Sequence, residues 1–167
     1  MKRRIIALAL LIPAFLQLID PCPFANSAIV ATKISKTAGN GIWKFSLQTI
    51  GSTGRTTRKP LEPDITLKAS GHWVYAQVRI TNISATRQSA KNLIITTSST
   101  LVNAKGKSYE LNDAATGDIY DLLENNFFSP GESRDIYFFF DTPTNETFQW
   151  LEIIVMKSLA NIRLSFK

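Results

Sequence analysis

Cysteine and histidine are almost missing from this 167-residue chain, which contains one of each, Cys22 and His72. A disulfide framework needs cysteine pairs, and a zinc site needs three or four cysteine, histidine or carboxylate ligands. A Cys–His or Ser–His–acid catalytic arrangement would have to include His72, yet no Gly-x-Ser-x-Gly motif is present. The composition therefore excludes a disulfide scaffold and a cysteine- or histidine-rich metal site. No catalytic residues are expected.

Apolar runs long enough to cross a membrane are missing as well. The run at residues 5–19 covers 15 positions. As a helix it would span about 22 Å, less than the roughly 30 Å of a bilayer core. Basic residues at positions 2–4 precede it and Ala25-Asn26-Ser27 follows it, the pattern of a secretory signal peptide. We therefore expect a cleaved signal peptide at residues 1–27, one domain at residues 28–167, and no transmembrane span after cleavage.

The single cysteine lies inside the predicted signal peptide. Ile19-Asp20-Pro21 precedes Cys22, whereas a lipoprotein precursor carries a small residue directly before its cysteine and a leucine three positions before it. We expect a secreted, periplasmic or cell-envelope protein without a lipid anchor. The mature chain then has no thiol, so packing alone must stabilise its fold.

Charge is divided unevenly along the chain, whose net charge is +6. Residues 28–107 contain 12 Lys or Arg against two acidic residues, and residues 108–167 contain four basic against ten acidic residues. If the first and last strands pair in one sheet, the basic and acidic halves mix and the surface shows no charge separation. If these strands lie in different sheets, the two halves give the protein a dipolar surface. An exported protein meets the envelope, so no nucleic-acid partner is expected.

Short segments with period-two alternation dominate the mature chain. The clearest has Val74, Ala76, Val78 and Ile80 on one face, opposite Trp73 and Tyr75. Eight or nine such strands are predicted, with one short helical turn near residues 118–124. The pattern predicts an all-β fold, an immunoglobulin-like antiparallel β-sandwich.

The order of motifs from Trp73 onward resembles a known group of proteins. The motifs are a strand ending at Asn82, a Lys105-Gly106 hairpin leading to Tyr109, Ser129-Pro130-Gly131-Glu132, and a Phe-rich strand that stops at Pro143. Over roughly residues 40–160 the chain resembles bacterial extracytoplasmic immunoglobulin-like domains of unknown function, found on lipoproteins and secreted proteins. These are related by fold to the immunoprotective secreted antigen of mycobacteria. The resemblance implies a compartment and a fold, and brings no catalytic residues.

Outward aromatic residues form the first candidate ligand-binding surface. If the Val74 face is buried, Trp73 and Tyr75 face outward, where rigid aromatic rings suit sugar rings or protein partners. The alternative is that a loop or the N-terminal strand covers them.

A basic segment forms the second candidate. Arg55, Arg58 and Lys59, which Lys68 can join, lie in or near the connection 51–63, expected to be a mobile loop or an edge hairpin. Guanidinium and ammonium groups suit an anionic envelope polymer, lipid headgroup or acidic protein. The alternative is a solubilising loop without a ligand.

Four carboxylates are the candidate metal ligands: Asp113, Asp118, Asp121 and Glu124. Calcium takes six to eight oxygen ligands, but the spacing matches no EF-hand, and the solvated face of the helical turn is the favoured explanation. Calcium is the one cofactor considered.

The sequence thus predicts a secreted or envelope-associated binding module, monomeric or weakly oligomeric, with an unidentified envelope polymer or protein as its partner. The alternatives are a polysaccharide-active enzyme of the cell envelope and a calcium-dependent adhesion domain.

Overall fold

The computed structural model describes most of the chain after the predicted signal peptide. The described ranges are 37–39, 41–59, 62–93, 95–96, 98–117, 127–155 and 160–166. The signal peptide and the helical turn predicted near residues 118–124 lie outside them. None of the helices in these ranges has the length and apolar character needed to cross a bilayer.

Ten strands occur in the described residues. Their bounds are β1 Thr37–Gly39, β2 Trp43–Lys59, β3 Glu62–Asn82, β4 Gln88–Ser89, β5 Thr100–Asn103, β6 Ser108–Glu110, β7 Phe127–Phe128, β8 Ser133–Thr142, β9 Phe148–Val155 and β10 Ala160–Ser165. A short 3₁₀ turn covers Ala90–Asn92, and one helical turn, α1, covers Asp113–Thr116. Asn112 caps α1 by accepting a hydrogen bond from the backbone N–H of Ala115.

The strands form two four-stranded antiparallel sheets and a small two-stranded ribbon. The first sheet has the order β1-β2-β3-β8, the second has the order β10-β9-β5-β6, and β4 pairs with β7. Both four-stranded sheets are antiparallel and contribute side chains to one shared core, which is the architecture of an immunoglobulin-like sandwich. The predicted fold class is therefore confirmed.

Apolar side chains from the facing sides of the two sheets build the main core. The predicted inward face of β3 lies in it, with Ala76, Val78 and Ile80 fully buried. Leu101, Leu151 and Ile153 meet them from the second sheet. The period-two alternation thus placed the buried face of β3 correctly.

Two turns have the chemistry expected from their sequences. Gly106 has a φ of 82° in the β5–β6 hairpin, and Gly131 has a φ of 80° after Pro130. The Glu132 N–H donates to the Ser129 carbonyl at 3.0 Å, which closes the predicted Pro-Gly turn. Glycine takes these left-handed conformations without the steric cost that a Cβ brings.

Asn82 ends β3 as predicted and also joins two segments. Its buried side-chain amide donates to the carbonyls of Thr86 and Phe128 at 2.8 and 2.9 Å, and its oxygen accepts from Ser84. The residue therefore holds the turn after β3 against β7.

β2 and β3 are longer than expected. The connection 51–63 belongs almost entirely to these two strands, so the edge-hairpin alternative is correct and the mobile-loop alternative is wrong. His72 lies within β3, opposite Thr142, and not at a turn before a strand.

The two halves of the charge division lie mainly in different sheets. β1 belongs to the first sheet and β10 to the second. β8, from the acidic half, pairs with the strands of the basic half in the first sheet. Its Asp135 neutralises the charge of Arg79 on β3, at 2.8 Å. Beyond the end of β8, no strand of the acidic half lies beside β3 in the described register.

Candidate functional site

The prediction that Trp73 is an exposed ligand-binding residue is wrong. Its side chain does point away from the main core, but it is only 3% exposed. Tyr75 lies on the same face and is partly buried. Of the two outward aromatics, only Tyr75 has surface left to contact a ligand.

A second apolar cluster on the outer face of the first sheet buries Trp73. The cluster contains Ala69, Ala115 of α1 and Phe139 of β8, and Tyr75 packs at its margin. The Trp73 indole N–H donates to the Leu67 carbonyl at 3.2 Å. The covering-segment alternative is therefore correct for Trp73, with α1 and the start of β3 as the cover.

The basic residues lie on a two-stranded extension of the first sheet. β8 pairs with β3 only from His72 to Thr81, whereas β2 and β3 continue past it. We call residues 55–59 and 62–71 the hairpin arm. Several register shifts along this pair bend it.

A single carboxylate holds the base of the hairpin arm. Asp141 accepts hydrogen bonds from the backbone N–H groups of Ser70 and Gly71, at 2.7 and 2.9 Å. A Cβ on Gly71 would lie 2.1 Å from the Thr142 carbonyl oxygen, so only glycine permits this approach of the two strands. No local sequence motif indicated that Asp141 has this role.

One face of the hairpin arm carries cations and hydroxyl groups. Thr56 lies opposite Lys68 and Arg58 lies opposite Thr66, so these four side chains share a face, and all are exposed. Arg58 and Lys68 are therefore diagonal neighbours, about 7–8 Å apart at their Cα atoms. The opposite face carries Thr57, which is buried.

Three of the four cations on the hairpin arm have no ion pair in the described part of the chain. Arg55, Arg58 and Lys68 are unpaired, while Lys59 is paired with Glu62 near the tip. Asp64 is the remaining carboxylate of the arm and is exposed. The structure thus brings Arg55, Arg58 and Lys68 onto one element. Lys59 differs from them because its charge is neutralised by Glu62. The arm as a whole has an excess of positive charge.

The predicted metal ligands are not brought together in the described residues. Asp113 is exposed on α1, and Asp118, Asp121 and Glu124 lie outside the described ranges. Within those ranges no group of three or more His, Cys, Asp or Glu side chains is placed to hold a metal ion.

Comparison with solved structures gives neighbours with very different sequences. A conserved hypothetical protein from Bacillus anthracis is 11% identical, with a TM-score of 0.54 over 84% of this chain and 100% of that chain. This likeness shows a shared fold alone.

Two further neighbours are also bacterial proteins of unknown function. An uncharacterized β-sandwich protein from Clostridium difficile is 14% identical, with a TM-score of 0.45 over 80% of this chain and 91% of that one. A functionally unknown protein from Listeria monocytogenes is 13% identical, with a TM-score of 0.47 over 84% and 88%. No protein-family model and no curated protein matches the chain.

Proposed function

We propose that this protein is an extracytoplasmic binding module that holds an anionic envelope polymer with its hairpin arm, and that it has no catalytic role. The basic, apolar and small-residue pattern of residues 1–27 supports export. A mature N-terminus at Ala28 in the exported protein is the direct test of that part. The resemblance to extracytoplasmic immunoglobulin-like domains, including those related to the mycobacterial antigen, belongs to this proposal.

The observation that carries the proposal is the set of uncompensated cations on the arm. Arg55, Arg58 and Lys68 are exposed and have no ion pair in the described residues. Elsewhere on the same sheet a cation is neutralised, since Arg79 binds Asp135 through two nitrogens, at 2.8 and 2.9 Å. Unpaired cations on a projecting element are available for charge-assisted hydrogen bonds to phosphate or carboxylate groups.

The shape of the arm favours a polymer over a single small anion. Arg58 and Lys68 lie on a face more than one residue pair long, and Thr56 and Thr66 add hydroxyl donors between them. A polyanion can contact several of these groups at once, and each contact adds to its retention. The apolar cluster that contains Trp73 and Ala69 and the Asp141 hydrogen bonds to Ser70 and Gly71 hold the base of the arm. A fixed base lowers the entropic cost of ordering the arm on binding.

Binding to long-chain inorganic polyphosphate, measured by isothermal titration calorimetry, tests the proposal. The double variant Arg58→Gln/Lys68→Gln is expected to bind at least about ten-fold more weakly for each cation removed, since hydrogen bonds to charged groups contribute about 1.5–3 kcal/mol. Lys91→Gln removes an exposed cation far from the arm in sequence and is the matched control.

Affinity should also fall steeply as salt is raised to about 0.5 M, because exposed charges are screened. The proposal fails if the double variant binds like the wild type, or if Lys91→Gln weakens binding as much.

A further inference from the structure

The outer face of the second sheet carries a tryptophan that the sequence interpretation did not single out. Leu151, Ile153 and Val155 of β9 point into the main core. Trp150 and Glu152 therefore point to the opposite, outer face. In the register of the sheet, Trp150 lies opposite Val102, and Glu152 lies opposite Arg163.

Trp150 lies on this face, and its indole Nε1 is buried. Among the described residues this nitrogen has no hydrogen-bond partner. Its neighbour Val102 is only 4% exposed although it belongs to neither apolar cluster, as expected for a side chain lying beneath an indole. A buried unsatisfied donor is unfavourable for stability, and such exceptions are typical of functional sites.

Arg163 and Glu152 flank the indole and keep their hydrogen-bonding capacity. The Arg163 guanidinium carbon lies over the Trp150 ring, 4.7 Å from its centre, which is within the range of a cation–π interaction. A guanidinium nitrogen is 3.7 Å from the Glu152 carboxylate, longer than a hydrogen bond. Their side chains are 59% and 24% exposed, so both can reach a ligand.

We infer that Trp150, Glu152 and Arg163 form a binding site for a neutral sugar ring of an oligosaccharide. A sugar has apolar C–H faces and hydroxyl edges. The exposed guanidinium of Arg163, which lies over the indole, offers a surface for the face of the sugar. The carboxylate accepts and the guanidinium donates hydrogen bonds to the hydroxyl edge.

The charges of this site fit an uncharged ligand. Arg163 and Glu152 are adjacent and cancel each other, and Glu110 lies in the same row of the sheet, opposite Thr100. An anion would meet two carboxylates against one guanidinium, whereas the hairpin arm presents three unpaired cations in its described residues. The two surfaces therefore select ligands of different chemistry, and they lie on different sheets.

Tryptophan fluorescence gives a direct readout of this site. The chain has three tryptophans. Trp43 and Trp73 are 2% and 3% exposed, so a ligand on the surface reports through Trp150. The probes are neutral hexasaccharides of glucose and of N-acetylglucosamine. We expect a saturable spectral shift with at least one of them, unchanged in about 0.5 M salt.

Variants separate binding from folding. By calorimetry, Trp150→Ala should reduce affinity at least about ten-fold, as expected for a central aromatic anchor. Glu152→Gln keeps the shape of the side chain and should also weaken binding while leaving the melting temperature unchanged. If Trp150→Ala fails to fold, the affinity of Glu152→Gln for the sugar tests the proposed site. Arg58→Gln/Lys68→Gln on the hairpin arm should bind the sugar like the wild type.

Three results would overturn the inference. The first is the absence of a saturable shift with any of these probes. The second is binding restricted to sulfated oligosaccharides and abolished by salt, which would make the face an anion site. The third is a shift that depends on protein concentration and accompanies dimer formation, which would make it a contact between copies of the chain.

Discussion

Trp73 is held by contacts on several sides. Its indole N–H donates to the Leu67 carbonyl at 3.2 Å, and its ring packs among Ala69, Ala115 and Phe139. An outward residue on a strand thus became part of a second small core. Alternation along β3 predicted the direction of this side chain correctly, but it could not predict what lies over it.

Replacing Trp73 by alanine is expected to destabilise the protein by about 3–5 kcal/mol, the usual cost of removing a buried tryptophan. Urea unfolding at equilibrium measures the loss. Ile65→Ala removes an apolar side chain that is 42% exposed on the hairpin arm, and should cost less than about 1 kcal/mol. Equal effects of the two changes would contradict the placement of Trp73 in a core.

The residues proposed to bind ligands were predictable only in part at this scale. Arg55, Arg58 and Lys68 are recognisable from the excess of positive charge in the sequence. Whether each is compensated depends on tertiary contacts, as the pairing of Lys59 with Glu62 shows. Trp150 was identifiable in principle, because the alternation of β9 places it outside. Its contact with Arg163 depends on the pairing of β9 with β10.

The hairpin arm is fixed at its base by hydrogen bonds and extends beyond the end of β8. β8 ends opposite His72. Beyond that point Asp141 replaces the missing strand as acceptor for the Ser70 and Gly71 N–H groups. One side chain thus accepts hydrogen bonds from two backbone N–H groups just beyond the end of β8. Such a long-range contact, between residues 70 positions apart, leaves no local sequence signature.

Asp141→Ala should loosen the base of the arm and leave the rest of the sandwich folded. Hydrogen exchange, followed by mass spectrometry or NMR, is expected to become faster at the Ser70 and Gly71 amides. Stability should fall by about 1–3 kcal/mol, the cost of leaving hydrogen-bonding groups unsatisfied. Asp64→Ala, which removes an exposed carboxylate of the arm without a hydrogen bond in the described residues, is the control. Unchanged exchange in Asp141→Ala would show that the arm is held by its apolar contacts alone.

At the scale of the whole molecule, the immunoglobulin-like class was predictable because each strand carries its own alternation and each turn its own residues. The lengths of β2 and β3 were not, since Gly51 and Gly54 within β2 resembled the ends of a loop. The pairing of β3 with β8 could not be predicted from the sequence either. That pairing neutralises Arg79 and ends before the hairpin arm.

Acid should destabilise the folded molecule. Three carboxyl groups have a lowered pKa, each mainly through a hydrogen bond: Asp135 from Arg79, Glu132 from the Ser129 backbone, and Glu146 from Asn103. Their pKa is lower folded than unfolded, so the folded state binds fewer protons than the unfolded state in this range. The stability they add is present above about pH 4.5 and is lost as pH falls through the folded pKa values.

The melting temperature is therefore expected to fall between about pH 5 and pH 3. In Glu146→Gln this fall should be smaller, because Glu146 accepts hydrogen bonds from Asn103 and Tyr109 at 2.8 and 3.0 Å only in the folded chain. Glu110→Gln, at an exposed carboxylate without such bonds in the described residues, should keep the wild-type slope. Identical slopes in all three proteins would contradict this assignment.

The free flank of the hairpin arm has a further consequence, for solubility. Glu62 and residues 66–68 pair with β2 on one side and with no described strand on the other. An unpaired strand edge invites pairing with another chain, and lysine and proline are residues that prevent it. Lys68 and Pro63 lie on this edge. Lys68, one of the cations proposed to hold a polymer, is therefore also expected to oppose edge-to-edge aggregation of the protein.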